Sequence, residues 1–126
     1  MRWPFSKQAR SATPSPHDTA LPVHNDVDTH FGAMVDRNLA GIHLERSGAI
    51  DRAIVLYEAN VAESFIGSHP YERLRILYTK QHDYANALRV CRAYLALPLR
   101  DVDAEKGVRL RQHATKLAAK IAEGRK

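Results

Sequence analysis

A chain of 126 residues, 44% hydrophobic and 26% charged, has the length and balance of one globular domain. Its single cysteine excludes an intrachain disulfide framework, and no apolar run approaches the ~18 residues of a membrane span. Lys and Arg exceed Asp and Glu by 19 to 14, a net charge of +5, and most of that surplus falls on residues 100–126.

Residues 1–27 read as a tail, and residues 28–124 as the folded domain. Pro4, Pro14, Pro16 and Pro22 interrupt the segment, and Trp3 and Phe5 are its only bulky apolar residues before Leu21. A stretch so poor in apolar surface cannot offset the entropy of ordering, so disorder is expected. Thr13-Pro14 and Ser15-Pro16 are minimal sites for a proline-directed kinase. No apolar stretch follows Arg2 to make a secretory signal, and the prolines break any amphipathic transit helix. Together with the lack of disulfides this leads to an expectation of a cytoplasmic protein.

From Thr29 onward prolines are few and helix formers dominate. The first predicted helix starts at Asp28 or Thr29, either of which can cap it, and runs to Arg46, where Ser47-Gly48 breaks it. The second spans 49–64, with Ile50, Ala53, Ile54, Tyr57 and Val61 on one face. Gly67-Ser68-His69-Pro70 stops it and starts a third over 69–80, with Glu72 in the first turn where its charge suits the helix dipole. A fourth spans 84–96 and presents Ala87, Leu88, Cys91, Tyr94 and Leu95. Pro98 ends it, and Asp101 or Asp103 caps a fifth reaching Glu123. No segment alternates as a strand does, so the predicted fold class is all-α.

Shifted by 34 residues, the chain matches itself. Leu44 falls on Tyr78, Gly48 on His82, Ile50 on Tyr84, Ala53 on Ala87, Ile54 on Leu88 and Tyr57 on Cys91. This period and pattern resemble the tetratricopeptide repeat, a 34-residue helix–turn–helix unit. Unit one, residues 34–67, has Gly41, Leu44, Gly48-Ala49-Ile50, Ala53 and Tyr57 at the family's signature places. Unit two, residues 68–101, has Tyr71, Leu74, Tyr78, His82-Asp83-Tyr84, Ala87 and Cys91. Departures are Arg37 for an aromatic, Arg75 for a small residue at the eighth place, and Asn60 and Tyr94 for a small residue at the twenty-seventh. The resemblance implies a right-handed α-solenoid of two repeats, closed by a capping helix over about 101–123. The small Ala53 and Ala87 then mark the close approach of paired helices.

Catalytic and metal-binding patterns are missing from the sequence. Cys91 occupies a core position, where an inert thiol is expected. There is no Gly-x-Ser-x-Gly, no phosphate-cradling glycine loop and no His-Glu-x-x-His. No two of the seven histidines stand four apart, so no helical zinc pair is formed. An enzyme is not expected, nor a cofactor or metal ion.

The expectation is a non-catalytic module that binds a protein or peptide. The resemblance implies a groove lined by the first helix of each unit: Val35, Asn38, Ile42 and Glu45 in unit one, and His69, Glu72, Ile76 and Thr79 in unit two. Extending the 34-residue step adds Lys106, Leu110 and His113. Along Ile42, Ile76 and Leu110 an apolar line meets a ligand, is covered by the fifth helix, or leaves single isoleucines harmlessly exposed. The family's carboxylate-gripping variety is not implied, because of its charged and amide places only Lys106 agrees. Phe31, Met34, Val35, Leu39 and Ile42 overload the first helix with apolar side chains, which suits the tail folding back through Trp3 and Phe5, a different partner protein or, most simply, a homodimer on that helix. The fifth helix carries a stripe of Leu110, Ala114, Leu117, Ala118 and Ile121, flanked by Arg109, Arg111, Lys116 and Lys120. The stripe packs on the preceding helix, and the basic flank gives the alternative function, nucleic-acid binding. No aromatic residue lies in 100–126 to stack on bases, which weighs against it.

Overall fold

A computed structural model describes residues 22–98 and 104–124, with side chains from residue 29. Five helices and no strand are present among them. They are α1 (Pro22–Arg46), α2 (Ile50–Ala62), α3 (His69–Lys80), α4 (Tyr84–Leu95) and α5 (Ala104–Gly124). The all-α class expected from the sequence is therefore observed. The chain divides into two compact units, residues 1–33 and 34–126. The described part of the first is the opening half of α1; the second holds all that follows.

One boundary differs clearly from expectation. Helix α1 begins at Pro22, six residues before Asp28, so residues 22–27 are helical rather than tail. A proline interrupts a helix in its interior, yet at the first helical position the missing N–H of Pro22 would have had no partner and its fixed φ suits the helix. The expected tail over 1–21 and the proposed caps Asp101 and Asp103 lie outside the described residues.

The second unit folds around a core of Ala53, Tyr57, Tyr71, Leu74, Leu77, Tyr78, Ala87, Leu88, Val90, Cys91, Tyr94, Leu110 and Leu117. Each large apolar side chain buried this way stabilises the fold by about 1.5–3 kcal/mol before entropy is counted. The tyrosines satisfy their hydroxyls at the edge of that core. Tyr71 donates to the Phe65 carbonyl at 2.7 Å and meets Tyr94 edge to face at 5.3 Å. Tyr57 donates to Glu45 at 2.6 Å, and Tyr78 donates to Glu58, which also pairs with Arg89. Burial pushes Tyr71 up to about 12 and Cys91 up to about 11, so both stay neutral.

Asn60 is fully buried and hydrogen-bonded on both ends of its amide. Its nitrogen donates to the Met34 carbonyl at 2.7 Å and to Asn38 at 2.9 Å, while its oxygen accepts from Arg37 at 3.0 Å. Arg37 also pairs with Glu63 at 2.7 Å. This network ties α2 to the second half of α1 with every amide group partnered, as a buried amide requires.

The turns after α1 and α3 are built alike. After α1, Gly48 adopts φ +87° and the Ala49 N–H reaches the Leu44 carbonyl at 2.8 Å. After α3, His82 adopts φ +60° and the Asp83 N–H reaches the Tyr78 carbonyl at 2.8 Å. In both, a left-handed residue closes the last helical turn and lets the next helix double back. Asp83 then caps α4 by accepting from the Asn86 N–H at 3.2 Å.

Candidate functional site

Helix α3 carries a polar face whose side chains reach α1 on one side and α5 on the other. Toward α1, Arg73 makes a two-pronged pair with Glu45, at 2.5 and 3.0 Å. Tyr57 donates to the same carboxylate. Burial alone would raise Glu45, but the bonds from Arg73 and Tyr57 outweigh it and hold the group below the ordinary carboxylate range. Toward α5, Glu72 accepts from Arg109 at 2.9 Å. Burial again works upward on Glu72, and bonds from Arg109 and Ser68 overcome it.

Each side of α3 borders an open cavity. The first, of about 320 Å³, is lined by Ile42, Glu45, Arg46, His69 and Arg73. The second, of about 230 Å³, is lined by Arg75, Thr79, His113, Lys116, Leu117 and Lys120. Among the described residues, two buried side-chain nitrogens lack a hydrogen-bond partner: His69 Nε2 and Arg75 Nε. One belongs to each cavity. A buried polar group is normally paired, so each such vacancy calls for an account. The His69 imidazole is held below its ordinary value by burial first and the Arg73 cation second, with Glu45 opposing, so it is neutral at pH 7. It lies edge to face with Tyr57 at 5.6 Å.

Of the groove residues expected from sequence, Ile42, Glu45 and His69 come together around the first cavity, and Thr79 lies on the second with His113. Val35, Ile76 and Lys106 are partly buried and line neither. Glu72 is occupied by Arg109. Two residues do not belong to an open groove. Asn38 is buried and bonded to Asn60. Leu110 has no exposed surface and sits in the core with Leu117, so the line through Ile42 and Ile76 stops there. Leu110 follows the apolar stripe of α5 instead of the 34-residue register.

Arg46, Arg73 and Arg75 were not among the expected groove residues. Arg73 meets Glu45 across 28 positions, a separation no local pattern reveals. In the sequence Arg75 stands out only as a large cation where the tetratricopeptide pattern would have a small residue. A larger cavity, of about 540 Å³, lies between α4 and α5, lined by Leu88, Ala118 and Ile121 together with Arg89 and Arg92. No group of three or more metal-ligating side chains occurs among the described residues. No helix there is long and apolar enough to cross a membrane. No protein-family model matches the chain, and no match was found among curated proteins or solved structures.

Proposed function

We propose that the chain is a tetratricopeptide-like interaction module that binds a peptide or protein segment along α3. The observation that carries this reading is the pair of unpartnered nitrogens, His69 Nε2 and Arg75 Nε, each in its own open cavity on one helix. Such groups fit a face that a ligand completes, since hydrogen bonding them is worth more than leaving them dry.

Three features support the repeat. The turn bonds Ala49 to Leu44 and Asp83 to Tyr78 stand 34 residues apart, with left-handed Gly48 and His82 in matching places. Ala53 and Ala87 both have no exposed surface. Gly41 faces the Tyr57 ring so closely that a side chain is excluded. Two units are few for a free-standing stack, which normally needs about three. Leu39 on α1 is 60% exposed, and a second copy of the chain is one partner that such a surface suits.

Panning a random peptide display library against the purified chain tests the reading. Enriched peptides should lose binding to Ile42→Glu and to Arg46→Glu. Arg46 is exposed, so that variant should keep the wild-type melting temperature. No enrichment, or peptides that bind both variants as tightly as wild type, would refute it.

A further inference from the structure

Arg75 has no ion-pair partner among the described residues. No ion pair or side-chain hydrogen bond of its guanidinium occurs among the described residues, and its Nε is buried. Leaving that buried N–H unbonded is destabilising, and the lack of an ion pair sets this half-buried residue apart from Arg37, Arg73, Arg89 and Arg109, all of which are paired.

The neighbours explain the vacancy. On α3, Glu72 is the carboxylate acting on Arg75, and it is taken by Arg109. Thr79 donates its hydroxyl to the Arg75 carbonyl at 2.6 Å, so it offers a ligand no proton. From α4 comes Cys91, whose thiol stays neutral. From α5 come His113, Lys116 and Lys120. The Lys120 ammonium also lies 5.4 Å from the centre of the Tyr84 ring. Among the described residues the cavity wall thus holds a guanidinium, two ammonium groups and an imidazole, and no carboxylate.

We infer that this cavity is a binding site for a phosphate monoester dianion or the phosphate ion itself. The guanidinium fork grips two oxygens at once, and turning toward them brings Nε into a bond. Lys116 supplies the second positive charge, which one carboxylate would leave unmatched. His113 closes the third side as a neutral donor. Its imidazole is held below its ordinary value by burial, then by Arg75, Lys116 and Arg109, with Glu72 opposing. A bound dianion reverses that field and draws the imidazole back up. The inference stands on the cavity alone and does not require a protein partner.

The test is an NMR titration of the full chain at pH 7.5 and fixed ionic strength. Its arms are inorganic phosphate, N-acetyl-phosphoserine amide and acetate. The Arg75 Nε–H and the His113 ring should shift saturably with both phosphates, and the pKa of His113 should rise in their presence. Acetate should give no saturable shift. Tighter binding of the capped phosphoserine marks a phosphorylated protein as the source; tighter binding of the ion marks free phosphate. Arg75→Met should weaken binding by at least about tenfold, while raising the melting temperature without phosphate. Lys116→Gln, at an exposed position, should fold normally and bind about two- to fivefold more weakly. Absence of saturation with both phosphates, an equal response to acetate, or undiminished binding by Lys116→Gln and Arg75→Met overturns the assignment.

Discussion

Gly41 of α1 lies against the ring of Tyr57 of α2: a Cβ built on the glycine would stand 2.5 Å from Cε1 and 2.8 Å from Cζ. The ring cannot retreat, because Tyr57 is fully buried and its hydroxyl is bonded to Glu45. Gly41→Ala should therefore destabilise the chain by about 1–3 kcal/mol, as overpacking does, despite alanine's better helix propensity. Gly107 of α5 has no atom near its position, so Gly107→Ala should stabilise by about 0.5–1 kcal/mol. Urea unfolding of both variants checks the opposite signs.

The two repeated turns give a second pair of opposite effects. Gly48 at φ +87° is free of strain, whereas His82 at φ +60° carries a Cβ and is held left-handed. Gly48→Ala should cost about 1 kcal/mol and His82→Gly should stabilise by a similar amount. The His82 ring makes only a tilted contact with Tyr84 at 5.9 Å, too little to offset the gain. Thermal melts would expose a failure if both variants moved in the same direction.

These elements also show what the sequence discloses. Helix α3 matches its expected limits because Gly67-Ser68-His69-Pro70 combines a stop with a proline at the start of the next helix. Helices α2 and α4 match within two residues for similar reasons: their apolar faces end at turn residues. The start of α1 was not legible, since a proline reads equally as a breaker and as a first residue. Leu110 belonged to two patterns, the apolar stripe of α5 and the 34-residue register, and burial favours the stripe. The α3 face was half legible. Glu45 and His69 follow from the repeat register, but the pairing of Glu45 with Arg73 and the isolation of Arg75 depend on tertiary distance.

Acid should unfold the protein in two stages. The native pKa values of His69 and His113 lie below 6.5, so the unfolded chain takes up their protons first as pH falls. The native state loses stability from about pH 6.5 downward. Glu45 and Glu72 are held below 4.5, so the stability they contribute is present above that value and lost as pH drops through their native pKa values. Melting temperature against pH should be flat above neutrality, fall below about pH 6.5 and fall again below about pH 4.5. His69→Gln should shrink the upper step and leave the lower one. A single transition below pH 4.5 in wild type would contradict the histidine assignment.

The basic face of α5 makes a quantitative statement about nucleic acid. Its cations are not all free: Arg109 is bonded to Glu72, and Lys120 lies over Tyr84. Arg111 and Lys116 are exposed and unpaired among the described residues, and no aromatic side chain stands near them in sequence to stack on bases. Counterion release scales with the phosphates neutralised, so two free cations and a few flanking ones give a slope of log K against log salt of about −2 to −4. Binding of a labelled duplex, followed by fluorescence anisotropy, should be weak, indifferent to sequence and largely gone at about 150 mM salt. Arg111→Gln with Lys116→Gln should flatten that slope by about 2. Tight binding that survives physiological salt and discriminates between sequences would favour nucleic-acid recognition on α5 over the peptide recognition proposed for α3.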